Sequence, residues 1–120
     1  MAELTFKDLL RAGIKRNECW DGLEDWTLAD WGNAMAGEAG ECCNAIKKAR
    51  RIELGMQNKS DRQIDNYGEA LDKIRHEAID TIAYALHVWA EASDGDHDLD
   101  SEITEIFNAV SARYGFPVKL

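Results

Sequence analysis

"TLADWGNAMAGEAGECCNAIKKARR", residues 27–51, reads as one long helix with an oddity inside it. Thr27 followed three residues later by Asp30 is a helix start signal, because each side chain can satisfy the other residue's backbone N–H. From Leu28 the pattern runs without proline to 51, about 36 Å at 1.5 Å per residue. Leu28, Met35, Cys42, Ile46 and Ala49 fall near one stripe, suited to packing against a partner. The oddity is Glu38 and Glu41, two acids set among Ala, Gly and Cys. Gly37 and Gly40 add to it. Each costs a helix up to about 1 kcal/mol relative to Ala, and close approach of another backbone or of a ligand would explain them.

The rest of the chain has the same period. Thr5 with Asp8 marks the start of a helix over residues 6–16, and "NECWDGLED" links it to the long one. Residues 53–68 are polar and glycine-bounded and read as a loop with room for a short helical turn. A third helix is predicted over 69–92, with Leu71, Ile74, Ala78, Ile82, Ala85 and Trp89 at helical spacing, and a fourth over 101–114. The only proline is Pro117, and neither repeats nor low-complexity segments occur. The expected fold is all-α, a bundle of about four helices in a single domain over residues 1–120.

With 120 residues and 45% hydrophobic content, the chain can bury a core without disulfides. Its three cysteines, two of them adjacent, lack zinc spacing and read as reduced thiols. The longest uncharged stretch, 81–90, is too short to span a bilayer, and the N-terminus has no apolar signal core. A cytoplasmic protein is expected. Against 14 basic residues stand 23 acids, a net charge of −9, which repels nucleic-acid polymers and anionic membranes. A small anionic ligand stays compatible if metal ions or a local basic cluster screen it.

Residues three or four apart share a helix face. One stripe of the long helix carries Trp31, Ala34, Glu38, Glu41, Ala45 and Lys48, and one of the third helix carries Lys73, Glu77, Asp80 and Tyr84. Each stripe thus holds a carboxylate pair. If the two helices pack antiparallel, four carboxylates meet. Like charges in a partly dry site raise one another's pKa, so they must take up protons or divalent cations. Carboxylate oxygens are hard ligands that suit Mg²⁺ or Mn²⁺, and Mg²⁺ commonly holds a phosphate as well. The bland alternative is a pair of solvated helix faces matched by Lys and Arg.

"WTLADWGNAMAGEAGECCNAIKKARR", "HEAIDTIAYAL" and "FNAVSARYG" together resemble the MazG-like nucleotide pyrophosphohydrolases, over roughly residues 26–115. The E-x-x-E and E-x-x-D pairs are matched by Glu38, Glu41, Glu77 and Asp80. The connection between the pairs is longer than in compact members, and Ile106 stands where many relatives have lysine. The resemblance implies that the four carboxylates bind Mg²⁺ (Mn²⁺ as substitute). The reaction it implies is hydrolysis of a nucleoside triphosphate to monophosphate and diphosphate, in nucleotide-pool control. It also implies an intertwined homodimer or homotetramer, and brings in Asn108 and Arg113 as phosphate or ribose contacts.

Glu38 is the favoured base. Lys48 and Arg51 of "KKARR" are the nearest cations for the leaving group, or they simply complement the helix C-terminus. Trp31 can stack on a base or fill the core, and Tyr84 can line the pocket or pack. His76 and His87 read as surface and structural histidines. Three rivals stand beside this reading. One is a non-enzymatic helical interaction module, another a pyrophosphohydrolase acting on a nucleotide such as phosphoribosyl-ATP. The third is a calcium loop over 94–105, which has Leu99 where the EF-hand turn needs glycine.

Overall fold

The computed structural model describes residues 3–56 and 66–120, which contain helices and no strand. In order these are α1 (Phe6–Asn17), a 3₁₀ turn (Leu23–Asp25), α2 (Leu28–Glu53), α3 (Tyr67–Glu91) and α4 (Leu99–Arg113). This is the all-α, four-helix architecture that the periodicity predicts. Most of the loop expected over 53–68 lies outside the described residues. Its edges are helical: α2 continues through Glu53 and α3 begins at Tyr67, whose hydroxyl donates to Glu53 Oε1 at 2.8 Å.

Helix starts follow the local chemistry. Asp8 N–H donates to Thr5 Oγ1 at 3.0 Å while Thr5 N–H donates to Asp8 Oδ2 at 3.2 Å. Thr27 N–H donates to Asp30 Oδ2 at 2.8 Å. Asn66 caps α3 by accepting from Glu69 N–H at 2.8 Å. On α4 the cap is Asp98, which accepts from Ser101 N–H at 3.2 Å, so this helix starts two residues before 101. That start removes the calcium-loop reading. Asp100 and Glu105 lie on a regular helix, and a helical segment cannot wrap around a cation. Asp98 also pairs with Lys7, and Phe6 N–H donates to Asp100 Oδ1 at 3.2 Å, which ties α1 to α4. The Lys7 ammonium, then Ser101, hold the Asp98 carboxyl down at about 2.

Helices α2 and α3 form the main packing unit, and they run antiparallel. Tyr67 meets Glu53 at one end, Glu77 lies by Glu38 midway, and His87 stacks on Trp31 at the other end. Small residues (Ala45, Ala49 and Ala70) are buried along the pair and keep the helices close. The far end of α3 carries the apolar cluster, in which Leu10, Leu86 and Leu99 pack with Leu9, Trp89, Ala90 and Ile103.

Burial departs from the predicted stripes. On α2 the buried residues are Trp31, Ala45 and Ala49, while Leu28 and Ile46 are 47% and 50% exposed. On α3, Glu77 and His87 are buried, whereas Ile79 and Ile82 are 59% and 42% exposed. Periodicity detects an apolar face but not what covers it. Here each long helix has two such faces, and the one carrying acids and aromatics meets the neighbouring helix. No helix of the described residues is long and apolar enough to cross a membrane.

Candidate metal centre

Three of the four expected carboxylates come together. Glu38 of α2 and Glu77 and Asp80 of α3 each offer an oxygen, all within 4.8 Å of one another. The i, i+3 spacing sets Glu77 and Asp80 on one face, and the antiparallel pairing brings Glu38 to it. Glu77 is only 2% exposed. Glu38 Oε2 and Glu77 Oε2 are both buried with no hydrogen-bond partner among the described residues. Glu41, one turn along from Glu38, is exposed and stands at the rim, where its charge still acts on Glu38.

The electrostatics divide the cluster. Burial first, then the charges of Glu41, Asp80 and Glu77, push the Glu38 carboxyl above its ordinary value. Glu77 goes the other way, because the Lys73 ammonium sits 2.7 Å from its Oε1 and favours the ionised form. His76 Nε2 lies 3.2 Å from Asp80 Oδ2, so this surface histidine touches the cluster.

A raised folded pKa means that the native state binds the Glu38 proton more tightly than the unfolded chain does. Ionising Glu38 therefore costs the metal-free fold stability, and the cost disappears as pH falls through the folded value. In EDTA, Glu38→Gln is expected to flatten the decline of Tm with pH above 4.5, the group's ordinary value. Thermal melts across a pH series check this, and an unchanged slope would mean that Glu38 does not feel its neighbours.

Tyr84, one turn beyond Asp80 on α3, lines an aromatic cavity of about 340 Å³, bounded also by Arg16, Trp20, Trp26, Trp31 and His87. Trp31 is 5% exposed. Its ring stacks on His87 with centroids 4.3 Å apart and meets Trp26 edge-on at 4.7 Å. Tyr84 stands 6.2 Å from Trp31. Burial, then the Arg16 charge, push His87 below its ordinary value, which favours a neutral imidazole. The α1 backbone crosses close by: a Cβ on Gly13 would come within 3.1 Å of His87 Nε2.

The other expected site residues are on α2 beyond Glu41 and on α4. Lys48 is half-buried on α2, and Arg51 is in the last turn of that helix. Asn108 uses its amide on the chain end, accepting from Leu120 N–H at 2.8 Å and donating to Leu120 O at 3.4 Å. Arg113 is exposed at the end of α4, and no described contact brings it or Asn108 to Glu77. A Cβ at Gly37 or Gly40 would meet nothing within 4 Å among the described residues, so packing among these does not account for either glycine.

Four neighbours of the site have no site role in the sequence reading: Lys73, placed on the Glu77 stripe without a task, His87, read as structural, and Trp20 and Trp26. Lys73 had a signal, being four residues before Glu77 on the same face. His87 had one too, three residues beyond Tyr84. Trp20 and Trp26 lie around the 3₁₀ turn between α1 and α2, where no periodicity points at anything. Compared with protein-family models, curated proteins and solved structures, the chain gives no match.

Proposed function

We propose that this protein is a MazG-like, Mg²⁺-dependent nucleoside triphosphate pyrophosphohydrolase, cleaving between the α and β phosphates to give a monophosphate and diphosphate. The observation that carries the reading is the pair of buried carboxylate oxygens without partners, Glu38 Oε2 and Glu77 Oε2, set beside Asp80. Burying ionised oxygens without hydrogen bonds is costly unless a proton or a cation compensates them. An all-oxygen donor set is the chemistry that Mg²⁺ and Mn²⁺ prefer. Glu38, Glu77 and Asp80 would hold the ion, with Glu41 at the rim within reach of the same charge.

Bound there, the ion supplies Lewis acidity at a phosphoryl oxygen and a more acidic water. The protein supplies the rest. A Glu38 oxygen left unengaged by the ion would take the proton of the attacking water. Trp26 and Tyr84 would seat the base in the cavity that the buried Trp31 helps to wall, where each stacking contact contributes about 1–3 kcal/mol. Lys48 and Arg51 extend positive charge along α2 toward the leaving diphosphate. Gly37 and Gly40 leave open backbone on the exposed side of α2 for a ligand or second chain to approach.

A second copy completes the assembly in this reading. The accessible surface is 9131 Å², against about 6,500 Å² for a compact chain of this mass. The excess is larger than the roughly 800 Å² that one partner contributes to a standard interface. Leu28, Ile46, Ile79 and Ile82 are the aliphatic side chains on α2 and α3 that it would cover, and Asn108 and Arg113 could then serve a partner's substrate. Light scattering at micromolar concentration is expected to give at least twice 13.5 kDa, and Ile79→Lys to give the monomer mass. A monomeric parent protein would refute the assembly.

The exposed aliphatics alone would equally suit a non-enzymatic interaction module, but such a module has no use for unpartnered buried carboxylates. A panel of canonical and damaged triphosphates, with phosphoribosyl-ATP included, tests the reaction. Mg²⁺-dependent diphosphate release is expected. Orthophosphate as first product would contradict the cleavage site, and no turnover on any member would leave the module as the better reading.

A further inference from the structure

Lys73 stands one turn before Glu77 on α3, its ammonium 2.7 Å from Glu77 Oε1, yet its side chain is 55% exposed. The carboxylate it holds is almost fully buried, at 3% for the side chain. The negative charges of Glu77, Glu41 and Asp80 all act on the ammonium, which places it at the mouth of the cluster between bulk water and the acids. It satisfies one oxygen of Glu77 and leaves the other unpartnered, as is Glu38 Oε2. One monovalent charge thus sits against Glu38, Glu41, Glu77 and Asp80, with the His76 imidazole on Asp80 as the other basic group described there. The pairing is partial, and its mobile half faces solvent.

We propose that Lys73 is a displaceable counter-ion: it holds Glu77 Oε1 in the metal-free protein and gives that oxygen up when a divalent cation enters. The inference rests on the metal reading above and adds to it a residue that sets the affinity. The physical reason is competition. An ammonium and a divalent cation need the same oxygen and repel each other, and only the lysine can retreat, because its long chain is already half in water. A plain i, i+4 helix pair would behave differently. It would add slightly to helix stability, and its removal would lower the melting temperature equally with and without Mn²⁺.

The test uses Mn²⁺ alone, without nucleotide, titrated by electron paramagnetic resonance against the parent protein, Lys73→Met and Lys73→Arg. Removing one positive charge beside a divalent site is expected to tighten Mn²⁺ binding about tenfold, even with water-like screening. Lys73→Arg, which keeps the charge, is expected to stay close to the parent. In EDTA at pH 8, Lys73→Met should melt below the parent because the acids have lost their cation, and saturating Mn²⁺ should close that gap. If the parent binds Mn²⁺ and Lys73→Met binds no tighter, the inference falls while the metal site stands. If neither binds Mn²⁺, both fall. Mn²⁺ binding by Lys73→Met alone would overturn the inference, because a lysine that shuts the ion out of the parent protein is not displaced by it.

Discussion

Glu77→Gln should cut diphosphate release by on the order of a thousandfold and should lower the melting temperature of the metal-free protein, because the Lys73 ammonium beside it favours the ionised carboxylate in the fold. Glutamine keeps the shape, and its carbonyl can still accept from the Lys73 ammonium. What is lost is one charge and the oxygen that has no partner among the described residues. The amide can donate toward Glu38, which recovers only part of what the pair with the Lys73 ammonium contributed. Opposite signs for activity and stability are expected instead for Glu38→Gln, whose carboxyl burial and the neighbouring acids push above its ordinary value. Glu41→Gln, at the exposed rim, should cost roughly tenfold, in the range seen for groups that support a metal ligand rather than serve as one. Coupled diphosphate detection and melts in EDTA measure both. A Glu77→Gln protein within tenfold of the parent would end the metal-site reading.

Trp31→Ala is the substitution expected to damage the fold most. Removing a buried tryptophan costs about 3–5 kcal/mol, a large part of the roughly 5–15 kcal/mol that holds a domain together. Trp31 carries more than its own area: it joins α2 to α3 through His87, holds Trp26 edge-on, and forms a wall of the cavity. A loss in Tm on the order of 10–25 °C is expected for a chain of this size. Trp31→Phe, which keeps a ring but leaves a gap, should lose less than half as much. If Trp31→Ala melted within a few degrees of the parent, the α2–α3 contact would have to be held by the alanines and the apolar cluster instead.

What could be read beforehand was what depends on neighbours in sequence. Thr5 with Asp8 and Thr27 with Asp30 announce helix starts because each cap bond closes within four residues. The pairing of Glu77 with Asp80 on one face needs only helix geometry, and their meeting with Glu38 needs only antiparallel packing. What stayed hidden depends on which of two faces wins. Ile46 and Ile82 belong to convincing apolar stripes, yet α2 and α3 meet through alanines, acids and rings, and those isoleucines stay exposed. The Asn108–Leu120 contact joins positions twelve residues apart through a turn of chain that periodicity does not describe. The cavity was invisible for a similar reason, since Trp20 and Trp26 reach it from a non-helical connection.

The placing of the tryptophans gives the molecule an optical gauge of its own. Three of the four, Trp20, Trp26 and Trp31, border the same cavity, and the fourth, Trp89, donates its indole N–H to Glu102 at 3.3 Å on the other side of the bundle. Intrinsic emission is therefore dominated by that cavity. A planar molecule entering it should quench and shift the spectrum without any label, while an ion settling among the carboxylates should leave the signal nearly still.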